Sequence, residues 1–111
     1  MRILFDHGTP VPLRQFLQAT HHVETVFERR WHQLRNGDLL RVSEEAAFDV
    51  FVTTDQHLRE QQNLAGRKIA IVVLLTTNWT LIGRHTDLVI TAISHLTPGA
   101  FVEVGFPANR E

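Results

Sequence analysis

The sequence predicts an α/β protein with a mainly parallel five-stranded sheet flanked by helices. Three observations predict it. Short apolar runs alternate with stretches of helical spacing, the pattern of strands joined by crossover helices. The run Ile69-Ala-Ile-Val-Val-Leu-Leu75 is apolar on both faces, as a strand inside a parallel sheet must be. Two further runs each end in a carboxylate, Asp6 and Asp55, where the chain leaves the sheet.

Taken in order, residues 2–5 form the first strand and Gly8-Thr9-Pro10 a turn. A short helix follows over about 11–19, with Val11, Leu13, Phe16 and Leu17 near helical spacing. Pro10 and Pro12 fit only its first turn. Residues 22–27 alternate like a second strand, and 28–36 are polar and irregular around Trp31. A helix over about 37–47 carries the stripe Leu39, Leu40, Val42, Ala46 and Ala47, with Asn36 or Asp38 to cap or charge its start. Residues 49–54 are the third strand, 56–64 a short helix stopped by Gly66, and 68–75 the fourth strand. Ile82, Thr86, Val89, Ile93 and Leu96 predict one helix over 80–96, ended by Pro98-Gly99. Phe101 to Val104 is the fifth strand, and 105–111 is a polar tail. Crossovers are expected to be right-handed.

The 111 residues suffice for one domain with its core at about 2–104, burying roughly two thirds of the unfolded surface. There is no cysteine, so no disulfide and no thiolate zinc site. No apolar run approaches the ~20 residues of a membrane span. The N-terminus enters a strand at once, which speaks against a signal peptide, so a cytoplasmic protein is expected. Net charge is −1, which excludes a global basic field for nucleic acid. Only Lys68 is lysine; the other ten basic residues are arginine, suited to bidentate phosphate contacts or to plain surface solubility.

In a parallel sheet every strand end falls on one rim. That rim collects Asp6 and His7, then Thr53, Thr54 and Asp55, then Thr76, Thr77 and Asn78, with Asp38 able to approach. Oxygen donors of this kind suit magnesium or manganese. A bound ion could activate water and neutralise charge developing on a phosphodiester. Each residue also has a purely structural role open to it. Asp6, Asp55 and Asn78 are placed to cap helices, Asp38 to charge a helix start, and Thr53-Thr54 to serve the strand. His7 and His57 lie within two residues of the key aspartates, as ligands, proton shuttles or surface groups. Arg35, Arg59 and Arg67 are candidate phosphate contacts. Trp31 and Trp79 could stack on a base or pack in the core.

These residues resemble a known family. The opening Arg2-Ile-Leu-Phe-Asp6-His7-Gly8-Thr-Pro resembles the start of small PIN-like domains, the class that includes VapC-like toxins. The block Asn36-Gly37-Asp38-Leu-Leu through Glu45-Ala46-Ala47-Phe48-Asp49-Val-Phe-Val-Thr-Thr-Asp55 looks like their central signature. Gln61-Gln62-Asn63-Leu64-Ala65-Gly66-Arg67 before an apolar strand is similar too. The match runs over about 2–104, nearest a compact branch of toxin–antitoxin ribonucleases. It implies a three-layer Rossmann-like sheet and a magnesium- or manganese-dependent endoribonuclease. It also implies metal ligands and catalytic acids at Asp6, Asp38 and Asp55, and a small antitoxin that blocks the site. Relatives in this branch have Asp-Glu-Asn after the first strand, where this chain has Asp6-His7-Gly8, so one acid is lost. Asn78 would then serve as a neutral oxygen ligand.

Two alternatives stand beside the ribonuclease. One is a catalytically degenerate PIN-like module that binds protein, favoured by His7. The other is a receiver-like phospho-acceptor domain with Asp55 as acceptor, which would want paired acids after the first strand and a lysine ending the fifth. Homodimerisation is a further expectation, since the irregular rim needs cover.

Overall fold

A computed structural model describes residues 1–108. Residues 109–111 of the polar tail expected at 105–111 lie outside the described residues. Five strands, β1 (Arg2–Phe5), β2 (His22–Thr25), β3 (Val50–Thr53), β4 (Ala70–Leu74) and β5 (Phe101–Val104), form one all-parallel sheet in the order β2-β1-β3-β4-β5. Between them lie a 3₁₀ helix (Val11–Phe16) and helices α1 (Asn36–Glu45), α2 (Leu58–Gln61), α3 (Trp79–Gly83) and α4 (Thr86–Ser94). The α/β class is as the strand–helix alternation predicts. Among the described residues, no helix is long and apolar enough to cross a membrane.

Both faces of the sheet are buried, so β3 and β4 are buried along their whole length. On one face Ile3, Phe5, Val50, Val52, Val72 and Leu74 pack under Leu13, Ile82, Val89 and Ile93. On the other, Leu4, Phe51, Ile71 and Val73 pack under Leu39, Leu40 and Leu58. Trp31 and Trp79 join these layers as packing residues. Trp31 meets Phe48 edge-on beneath Arg29, and Trp79 lies against Gly83 and beside Phe16.

The crossovers are not of one hand. The step from β1 to β2 runs one way with the 3₁₀ helix on the first face. The steps β2 to β3 and β3 to β4 run the other way with α1 and α2 on the second face, so these three share a hand. From β4 to β5 the chain moves in the same direction as those two steps but lays α3 and α4 on the first face, which reverses the hand. The expectation of uniform right-handedness fails here for a packing reason. The first face is apolar across β1, β3 and β4, and its own crossover supplies only a six-residue 3₁₀ helix. Val89 and Ile93 of α4 complete the cover.

Other departures are local. The helix expected over 80–96 breaks at Arg84-His85, where His85 leaves helical geometry at φ −136. Gly83 is a weak helix former and lies under the Trp79 ring, and the break redirects α4 onto the 3₁₀ helix. The helix expected over 56–64 is a single turn, because Gln62 is extended and the Asn63 side chain accepts from Ala65 N–H instead. The first helix is 3₁₀ rather than α. Strand β2 stops at Thr25 because residues 26–31 close a turn. There Trp31 N–H donates to Val26 C=O and Arg30 N–H to Phe27 C=O, with Arg30 left-handed at φ 61. The same Schellman pattern ends α1, with Phe48 N–H on Ser43 C=O, Ala47 N–H on Glu44 C=O, and Ala47 at φ 65. Glycine is the usual residue at that position, and a Cβ there is strained. Ala47→Gly should therefore stabilise the fold by about 0.5–1 kcal/mol after the entropy of the unfolded chain is counted. Urea unfolding would read this as a higher midpoint at unchanged slope.

At the outer edge Glu24 accepts two bonds from Arg29, at 2.7 and 3.2 Å. Arg29 above all, opposed by burial and helped by the His22 bond, brings the Glu24 carboxyl from 4.5 down to about 2. A folded value below the unfolded one stabilises fully above pH 4.5, and that stabilisation is lost as pH falls towards 2. Glu24→Gln should be less stable than wild type at neutral pH, and the gap should close over this acid window. Urea midpoints measured against pH test it, and a constant gap would refute the assignment.

Candidate functional site

Strand order 2-1-3-4-5 has its switch point between β1 and β3, where the chain departs to opposite faces and a crevice opens at the strand ends. Asp6 follows β1 and Asp55 follows β3, so both acids stand at that crevice. Thr53 couples them. Its buried hydroxyl donates to Asp6 Oδ2 at 2.8 Å and accepts from Asp55 N–H at 3.1 Å. Asp6 stays in the ladder through its own N–H on Val52 C=O, and its side chain is only 12% exposed. Asp55 Oδ1 accepts from His57 N–H at 2.9 Å, and Oδ2 from the Asn36 side-chain amide at 3.1 Å. Each oxygen retains a free lone pair.

Gly8 passes close to Thr54: a Cβ at this position would lie 2.2 Å from Thr54 Oγ1, so the hydroxyl would have to move. His7 bridges two acceptors, with Nδ1 3.1 Å from Asp6 Oδ1 and Nε2 on His32 C=O. The loop from β2 to α1 is thus tied to Asp6 through His32 and His7, and to Asp55 through Asn36.

Among the described residues Arg2, Arg14, Arg29, Arg41 and Arg67 pair with Glu24, Glu28, Asp38, Glu45 and Glu44. No Arg or Lys of the described residues pairs with Asp6 or Asp55. Two partly buried acids held together without a strong cation form a site suited to an added one.

The other expected residues are dispersed. Asp38 is in the first turn of α1, 62% exposed, and faces Arg41 at 3.7 Å. Among the described residues no group of three or more His, Cys, Asp or Glu side chains could hold a metal ion, so the acid set at the rim is the pair Asp6 and Asp55. His57 is 72% exposed and turned to Glu60; only its backbone N–H serves Asp55. Asn78 caps α3, accepting from Leu81 N–H at 3.3 Å. Arg35 directly precedes Asn36, the residue that bonds Asp55, and is exposed. Arg59 lies over the Phe101 ring at 4.0 Å, and Arg67 pairs with Glu44 near the start of β4, at the opposite rim. The side chains that bond the two acids are Thr53, already placed on the rim, and Asn36, which was not among the expected site residues. Asn36 stands in the Asn36-Gly37-Asp38 block, so its signal was present but pointed to capping.

A cavity of about 380 Å³ opens at that opposite rim, walled by Phe48, Val50, Ile69 and Leu96. Its carboxylates are already engaged. Asp49 accepts from Arg2 N–H, while Glu44 accepts from Lys68 and Ile69 N–H and from Arg67. Burial pushes the Glu44 carboxyl up, but these bonds outweigh it and hold it below the usual range. Comparison with known proteins found no matching family model, no matching curated protein and no matching solved structure.

Gly8→Ala should destabilise by about 1–3 kcal/mol through the Thr54 clash. Adding Thr54→Ala should recover part of that, giving a coupling of roughly 1 kcal/mol in a double-mutant cycle. Strict additivity in urea unfolding would refute the contact.

Proposed function

We propose that this chain is a PIN-like, metal-dependent endoribonuclease, the toxin of a toxin–antitoxin pair, with one magnesium or manganese ion held by Asp6 and Asp55. The observation that carries the proposal is the pair of carboxylates at the switch point, joined through Thr53 and lacking any arginine or lysine partner among the described residues. Magnesium is commonly held by one or two carboxylates, its other positions going to water and phosphate, so a two-acid donor set fits. When bound, such an ion supplies charge neutralisation at a phosphodiester and activation of water.

The protein's own part is positional. Thr53 fixes one oxygen of Asp6 and the backbone of Asp55. Asn36 and His57 N–H orient the Asp55 carboxylate, leaving lone pairs for a cation. Arg35 is placed to take a substrate phosphate, and Asp38 acts at most through water. A small antitoxin covering this rim would silence it.

The second reading, a catalytically degenerate protein-binding module, is favoured by His7, whose ring occupies one oxygen of Asp6. A receiver-like domain shares the strand order, but β5 leaves the sheet through Gly105 and Phe106 rather than a lysine.

Calorimetric titration with manganese should show binding to wild type and at least roughly tenfold weaker binding to Asp55→Asn. Affinity should fall in acid, because carboxylates must be ionised to bind. RNA hydrolysis should require the ion and vanish in Asp55→Asn. A folded wild type that binds no manganese would refute the metal site. Metal binding without hydrolysis of any RNA would favour the module.

A further inference from the structure

We propose that the loop between β2 and α1 is a platform for single-stranded RNA, on which Phe27 stacks one unpaired base while Arg30 and Arg35 hold flanking phosphates. The choice of RNA rests on the nuclease reading; the platform itself rests on the following geometry. Phe27 is 56% exposed yet held in place. Its ring lies nearly parallel to His32, at 5.0 Å and 18°, and meets His7 edge-on at 5.2 Å. His7 in turn is bonded to Asp6 and to His32 C=O. An exposed aromatic ring is thus connected to a rim acid through a single histidine.

The turn that presents Phe27 is closed by its Schellman bonds, with Arg30 in the left-handed region at φ 61. Strained backbone at a non-glycine residue persists where its surroundings hold it, and such places cluster at functional sites. The charge pattern around the ring is selective. Arg29 is held by Glu24, and Glu28 is held by Arg14 and by Thr25 N–H. Among the described residues Arg30 and Arg35 make no ion pair, and both are exposed. The loop itself therefore carries two unpaired guanidinium groups, although the chain as a whole is not basic.

The occupant follows from this chemistry. A protein partner would want a contiguous apolar patch, whereas the exposed neighbours on this loop are Glu28, Arg30, Gln33 and Arg35. One exposed ring on a loop that carries two unpaired guanidinium groups matches a stacked base with its phosphates. Stacking needs no particular base, so the platform would be tolerant of sequence, and it would place the adjoining phosphodiester towards Asp6.

The test titrates a fluorescein-labelled single-stranded RNA of mixed sequence by anisotropy in EDTA, where binding is separated from cleavage. Phe27→Ala should weaken binding roughly tenfold, and Phe27→Trp should preserve it. Arg30→Asn with Arg35→Gln should lower the slope of log affinity against log salt by roughly 1.4, as two lost phosphate contacts require. Asparagine tolerates the left-handed backbone at position 30, and circular dichroism checks the fold of each variant. Cleavage of the same RNA in manganese is followed in parallel. Phe27-dependent binding without cleavage keeps the platform and overturns the nuclease. Cleavage with a KM unchanged by Phe27→Ala keeps the nuclease and overturns the platform. Equal binding by wild type and Phe27→Ala, equal affinity for duplex RNA, or no binding by wild type would each overturn the platform.

Discussion

The pairing of β1 with β3 is the constraint on which the rest of this molecule depends. It joins segments 47 residues apart in register, Leu4 opposite Phe51 and Phe5 opposite Val52. Side chains secure the pairing at both ends. At the amino end Arg2 N–H donates to the Asp49 carboxylate while Asp49 N–H donates to Arg2 C=O. At the carboxyl end the Thr53 hydroxyl reaches Asp6. A parallel pair has no hairpin to fix its register, so these side chains and the buried alternation must do so. A slip of one residue would turn Phe5 and Val52 out of one core layer and carry Asp6 away from Thr53.

The two rims generated by this pairing differ in how their charge is satisfied. At the amino rim Glu44 is held by two backbone N–H groups and by Arg67, and Asp49 accepts one backbone N–H, beside an apolar cavity. At the carboxyl rim the donors to the acids are mostly neutral: a hydroxyl, a side-chain amide and a backbone N–H. Neutral donors orient carboxylates without cancelling their charge. The single ionisable donor, His7, stands on one oxygen of one acid. The proposed metal ion and the alternative protein-binding reading therefore turn on the same few atoms.

Much of this architecture was legible in the sequence because it follows from one-dimensional patterns. The apolar run 69–75 could only be an interior strand, and Asp6 and Asp55 were located at strand ends by counting along the chain. What failed depended on three-dimensional neighbours. The helix over 80–96 has unbroken 3–4 spacing, and the reason for its break, a face of the sheet left uncovered by a short 3₁₀ helix, lies seventy residues upstream. Arg59 and Arg67 were grouped with the acids by composition, yet Phe101 and Glu44 hold them elsewhere. Asp38 has the right residue type, but its first-turn position serves the helix dipole and Arg41. The contact of His7 with His32 uses a backbone carbonyl, which no residue type can announce.

The reversed final crossover gives the rim its shape. Because α4 covers the first face from the far side of the sheet, the connection after β1 need not be a long helix. It can be a six-residue 3₁₀ turn beginning five residues beyond Asp6. A short connection keeps the chain near the strand end, where a Cβ at Gly8 would meet the Thr54 hydroxyl and force it to move. On the opposite side, the loop from β2 to α1 is drawn over the strand ends by His32 and Asn36, one tie to each acid. The acids are consequently flanked by a tight turn on one side and a fastened loop on the other. Moving either flank requires breaking a named contact at Asp6 or Asp55. A ligand that displaces His7 from Asp6 or Asn36 from Asp55 would therefore also release a tie of the loop that carries Phe27.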